Sequence, residues 1–86
     1  MNDLPVRLNT LLDYLLNYAP PHRFLPMVIE RIELLITKYE NSKTITEEII
    51  NLSLGLGLYI SEDYYFTESE TGEKIFDVIN YIARSK

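Results

Sequence analysis

Four stretches of this chain set apolar residues at i, i+3, i+4, i+7 spacing, the period of a helix with one buried face, and short polar turns separate them. In the first, Leu8, Leu11, Leu12, Leu15, Leu16 and Ala19 form the stripe, Asn2 or Asp3 can cap it, and Pro5 suits a first turn. The prolines of "APP" at residues 19–21 end it, which predicts a helix over about 4–18. The second, about 25–40, starts near Pro26 and carries Leu25, Val28, Ile29, Ile32, Leu35, Ile36 and Tyr39 on one face, and "ENSK" stops it. Met27 and Leu34 lie on its opposite side beside Arg31 and Lys38, so this helix has a second apolar face for its own domain or for another chain.

The third stretch, about 45–60, is ambiguous on its own. Leu52, Leu54, Leu56, Leu58 and Ile60 alternate with Ser53, Gly55, Gly57 and Tyr59, as in a half-buried strand. Ile45, Ile49, Leu52, Leu56 and Tyr59 or Ile60 also form a helical stripe, with Ile50, Leu54 and Leu58 as a second one. No other segment offers a partner strand, and a lone buried strand leaves its backbone groups unpaired, so helix is the expectation. "TITEE" supplies a start, with Thr44 as N-cap and Glu47 three residues later as a capping box. Gly55 and Gly57 each cost a helix about 1 kcal/mol. Either the helix breaks at 55–57, or its small residues, Ser53 and Gly57 in particular, let a neighbour approach closely.

The fourth stretch, about 71–85, places Ile75, Phe76, Ile79, Ile82 and Ala83 on one face, with Thr71 or Ser69 as cap, Glu73 in the first turn and Arg84 in the last. Four amphipathic helices joined by short turns predict an all-α fold, a small antiparallel bundle in one domain spanning residues 1–86. A chain of this size buries a modest core, so pairing with a second copy would stabilise it. Met27, Leu34, Ser53 and Gly57 are the candidates for such self-association.

Charge narrows the function. Thirteen acids against eight bases give a net charge of −5, with no basic cluster to grip a phosphate backbone or an anionic bilayer. Neither nucleic acid nor membrane is an expected partner. No run reaches the length of a membrane span, and "MNDLPVRLNT" is unlike a signal peptide, so the expected location is the cytoplasm. With no cysteine, thiolate chemistry, disulfides and Cys-type zinc sites are excluded. His22 is the only histidine and sits in the turn "PPHRF", without a thiol to activate or a second histidine to share a metal. "GLGLYI" has neither the third glycine of a dinucleotide fingerprint nor the lysine of a P-loop, and the acids miss the spacing of an EF-hand. The chain is therefore expected to be no enzyme, with no catalytic residue, cofactor or metal site.

The most distinctive feature is the distribution of charge. From Glu47 to Glu73 there are seven acids and no Lys or Arg, and within that span lies "SEDYYFTESE". Aromatic side chains are enriched at protein interfaces, and acids around them steer a basic partner. Tyr59, Glu62, Asp63, Tyr64, Tyr65, Glu68, Glu70 and Glu73 are accordingly the candidate partner-binding residues, although Tyr64, Tyr65 and Phe66 would serve equally well as a lid over the core. Tyr14 and Tyr81, opposite their apolar stripes, are expected to be exposed.

Residues 64–83, "YYFTESETGEKIFDVINYIA", faintly resemble the nuclease-bacteriocin immunity proteins, small acidic four-helix proteins in which a Tyr-Tyr pair precedes an acidic turn and a final amphipathic helix. The resemblance covers under a quarter of the chain, and the helix at 4–18 has no counterpart in that family. It implies a protein that neutralises a basic toxin domain, with Tyr64, Tyr65 and nearby acids in the contact face. The functional expectation is a non-enzymatic module of inhibitor, immunity or adaptor type; the alternative is a self-associating structural or assembly subunit.

Overall fold

A computed structural model describes residues 3–85; Asn2, one of the two expected caps of the first helix, lies outside them. The described residues form five helices and no strand: α1 (Leu4–Asn17), α2 (Leu25–Ser42), α3 (Glu47–Ser61), α4 (Tyr64–Thr67) and α5 (Glu70–Arg84). The four long helices are those the apolar spacing predicts. They close into a ring in which α1 meets α2 and α5, and α3 meets α2 and α5, while α4 bridges α3 and α5.

Contacts at opposite ends fix the directions. The Asp3 backbone N–H at the start of α1 donates to the Tyr81 hydroxyl near the end of α5, and the Tyr14 hydroxyl near the end of α1 lies 3.1 Å from Thr71 Oγ1 at the start of α5. Lys38 pairs with Glu48 at one end of the α2–α3 contact, and Phe24 meets Tyr59 at the other. Both pairs are antiparallel. Leu4, Leu8, Leu11 and Leu15 of α1, Val28, Ile32 and Leu35 of α2, Ile49, Leu56 and Ile60 of α3, and Ile75, Ile79 and Ile82 of α5 meet in one core.

The glycines do not break α3, which runs through both. Ser53 and Gly57 are buried, and a β-carbon on Gly57 would lie 3.4 Å from Ile79 Cδ1 and 3.9 Å from Phe76, so the close neighbour is a pair of α5 side chains. A Cβ on Gly55 would meet nothing within 4 Å. Gly55 therefore carries the helix cost without an intrachain contact that needs it.

Three details differ from the expectations. The cap of α3 is Thr46, whose hydroxyl accepts from the Ile49 N–H at 3.2 Å. Thr44 is instead held in the preceding turn, its carbonyl accepting from the Ser42 hydroxyl, so no capping box forms with Glu47. Helix α2 continues to Ser42 and ends with Lys43 in the left-handed conformation at φ 61°, its N–H donating to the Tyr39 carbonyl. Finally, α4 is a separate turn of helix within the supposed connection, capped by Asp63. Of the two caps offered for α5, Ser69 is the one used: its hydroxyl accepts from the Gly72 N–H.

Candidate protein-binding surface

The residues singled out between Tyr59 and Glu73 fall into three groups, and backbone chemistry decides which face inward. Asp63 is the N-cap of α4: its Oδ1 accepts from the Tyr65 N–H at 2.9 Å and lies 3.3 Å from His22 Nε2. The other imidazole nitrogen, Nδ1, accepts from the Phe24 N–H, so His22 ties the α1–α2 turn to the α3–α4 junction. Its ring stacks on Tyr65 with centroids 4.6 Å apart and meets Phe24 and Phe66 edge-on. This is a locally packed histidine, with both nitrogens engaged.

Tyr65 belongs to the same cluster. Its hydroxyl donates to the Pro20 carbonyl at 3.1 Å and lies 3.3 Å from Thr71 Oγ1, which also meets the Tyr14 hydroxyl. Phe66 is 1 % exposed, and together with Tyr65 it is the lid of the core. The acid and aromatic residues nearest the chain reversal, Asp63, Tyr65 and Phe66, thus form structure. Tyr64, one position away on a single turn of helix, points outward at 78 % exposure. The Tyr-Tyr pair does not present a common face.

The second group gathers on α5 and the turn before it. Glu68, Glu70, Glu73 and Asp77 line one open groove of about 590 Å³ between α4 and α5, together with Thr67, Ser69 and Lys74. Spacing explains the convergence, since Glu70, Glu73 and Asp77 are three and four residues apart on one helical face. All four carboxylates are exposed and, among the described residues, none is in an ion pair; Lys74 reaches over the Tyr14 ring instead. No group of three or more acids or histidines is arranged to hold a metal ion among the described residues. The geometry suits several separate cationic groups better than one small ion.

A second groove shares Ser69, Glu70 and Lys74 with the first and is walled by Tyr14, Tyr18 and Pro20. Tyr18 is 72 % exposed and stacks against Tyr14. Tyr18 and Asp77 are thus members of this surface that the sequence pattern does not single out. Asp77 was legible as the residue four after Glu73, whereas Tyr18 lies 52 residues before Glu70 in the sequence and only the α1–α5 contact brings it near.

The third group lies apart from both grooves. Tyr59 meets Phe24 at 5.1 Å on the α2–α3 side, where Met27 and Arg31 are its neighbours, and Glu62 is the exposed C-cap of α3. Met27 and Leu34 are half-buried on α2. Ser53 and Gly57, named above for self-association, are a correction: both are buried inside the chain, Gly57 against Ile79 and Phe76 of α5, and a second copy reaches them only if the bundle opens. Tyr14 and Tyr81 are also corrected. Both are half-buried and tie α1 to α5, one through Thr71 and the other through Asp3 and the cation of Arg7, 4.1 Å from the Tyr81 ring centroid.

Among the described residues, no helix is long and apolar enough to cross a membrane. Compared with known proteins, the chain matches no family model, no curated protein and no solved structure.

Proposed function

We propose that this chain is a non-enzymatic binding module that takes a basic segment of another protein into the α4–α5 groove, in the manner of an inhibitor, an immunity protein or an adaptor. One observation carries the reading: Glu68, Glu70, Glu73 and Asp77 line a single groove with no ion pair to satisfy them among the described residues. Lysine or arginine side chains of a partner would find four carboxylates there. Tyr18 in the adjoining groove and Tyr64 on α4, both exposed, provide flat apolar area at low entropic cost. Because the groove is solvated, its charges act mainly on the rate of encounter and on the choice of partner. Asp63 and Tyr65, inside the fold, take no part.

The test begins with affinity capture from native lysate and identification of the bound protein. The Glu68→Gln, Glu70→Gln, Glu73→Gln triple variant should then associate with that partner at least about tenfold more slowly at low salt, the difference shrinking as salt screens the field. An association rate unchanged by the triple substitution would sink the assignment. Circular dichroism of the variant should match the parent, since none of the three side chains has a hydrogen bond or ion pair within the described residues.

A further inference from the structure

Among the described residues that line the α4–α5 groove, Lys74 is the only cation, and it forms no ion pair with any of the four carboxylates there. Its place in the sequence favours the opposite. Glu70 stands four residues before it and Asp77 three after, the spacings at which side chains of one helix meet, and Glu ahead of Lys is the better order. Lys74 Nζ lies instead 5.1 Å from the centroid of the Tyr14 ring on α1. A cation over an aromatic face is held at least as well as one in a solvated ion pair, whose charges water screens.

The ring is fixed by the fold and the lysine is not. Tyr14 is half-buried, its hydroxyl lies 3.1 Å from Thr71 Oγ1, one turn before Lys74 on α5, and its ring stacks on Tyr18. Lys74 is exposed on a flexible stem and lines three adjoining grooves: the acidic one, the tyrosine one, and a third between α1 and α5 that Tyr14 also walls. Its ammonium therefore has two places to stand. On the Tyr14 ring it leaves Glu70 and Asp77 open to a partner. Turned back along α5 it covers one of them and sets a like charge in the path of an incoming cation.

We propose that Lys74 is an internal competitor for the basic segment that the acidic groove takes, and that Tyr14 holds it aside. This role rests on the groove being a site for a basic segment, as proposed above, and adds what keeps that site open. Tyr14 acts through Lys74 and is a positioning residue. Removing its ring releases the lysine onto the carboxylates, whereas removing the lysine leaves the ring with nothing to hold.

The test uses the full chain and an oligolysine peptide at low salt, with binding followed through the amide resonances of Glu70, Glu73 and Asp77. Tyr14→Leu should weaken binding about twofold to fivefold, while Tyr14→Phe, which keeps the ring and drops the hydroxyl, should bind as the parent does. Lys74→Gln should bind at least as tightly as the parent, and in that background Tyr14→Leu should change nothing, because no lysine is left to release. Equal weakening by Tyr14→Leu in both backgrounds is a structural effect and overturns the proposal. The Lys74 ε-methylene protons report their place directly: an upfield ring shift is expected in the parent and in Tyr14→Phe and should vanish in Tyr14→Leu, and its absence from the parent overturns the proposal too. Circular dichroism checks that Tyr14→Leu keeps its helices, and Tyr14→Met replaces it if it does not. A parent chain that fails to bind the peptide overturns the reading of the groove and this role with it, whereas a bound peptide without coupling between Tyr14 and Lys74 overturns this role alone.

Discussion

A methyl group on Gly72 would occupy the position of the Phe66 carbonyl, and backbone rather than a flexible side chain stands in the way. The first turn of α5 is pressed directly onto α4 there, with Ser69 capping it through the same Gly72 N–H. Gly72→Ala must move one helix relative to the other and should cost about 3 kcal/mol or more, read as a large fall in the urea midpoint. At the opposite end of the molecule, Asp3 shows a milder device. Hydrogen bonds from Tyr81 and Arg7 hold its carboxyl below the usual carboxylate value, and the same contact raises Arg7. A depressed folded-state value means the contribution is present above the ordinary carboxylate range and lost as pH falls through the lower one. Asp3→Asn should therefore lower the melting temperature slightly at neutral pH and hardly at all at the acid end of the scale, below that depressed value. A difference that persists unchanged into strong acid would assign the effect to something other than the charge.

At the scale of elements, α3 separates two roles that its sequence blends. Both of its glycines weaken a helix, but only Gly57 touches a neighbour. Gly57→Leu would push a side chain into Ile79 and Phe76 and should cost about 1–3 kcal/mol by overpacking. Gly55→Ala, with nothing within 4 Å, should stabilise the dilute monomer by about 0.5–1 kcal/mol. Thermal melts of the two variants should move in opposite directions; a shared direction would mean that the two positions had been assigned wrongly. The short α4 shows the converse. Four residues cannot form a helix by propensity alone, and this one exists because Asp63 caps it and Phe66 anchors it in the core.

For the molecule as a whole, the arrangement divides structure from surface. The α1–α2 turn, the α3–α4 junction and the start of α5 are joined through His22, Asp63, Tyr65 and Thr71, so the aromatic and polar residues at this end of the bundle chiefly hold helices together. What remains outside is an acidic groove on α5 and an uncharged leucine ridge on α3. Salt should accordingly slow binding at the acidic groove, whose exposed charges it screens.

How much of this was legible depended on the range of the forces involved. Helix positions follow from spacing within a few residues, and the four long helices lie where the stripes of Leu8 to Leu15, Leu25 to Tyr39, Ile49 to Ile60 and Ile75 to Ile82 put them. The acidity of the 47–73 span and the absence of thiols were equally plain, because composition needs no coordinates. The inward or outward direction of Tyr64 and Tyr65 was not, since that depends on Pro20, His22 and Thr71, which reach Tyr65 only through the fold. The cap at Thr46 in place of Thr44, the steric need for Gly72 and the burial of Tyr14 and Tyr81 are of the same kind. Local periodicity alone determined that this chain is a helical bundle with an acidic face. Tertiary structure decided which acids and tyrosines stay exposed at the surface, because hydrogen bonds and ring contacts between residues distant in sequence claim the others first.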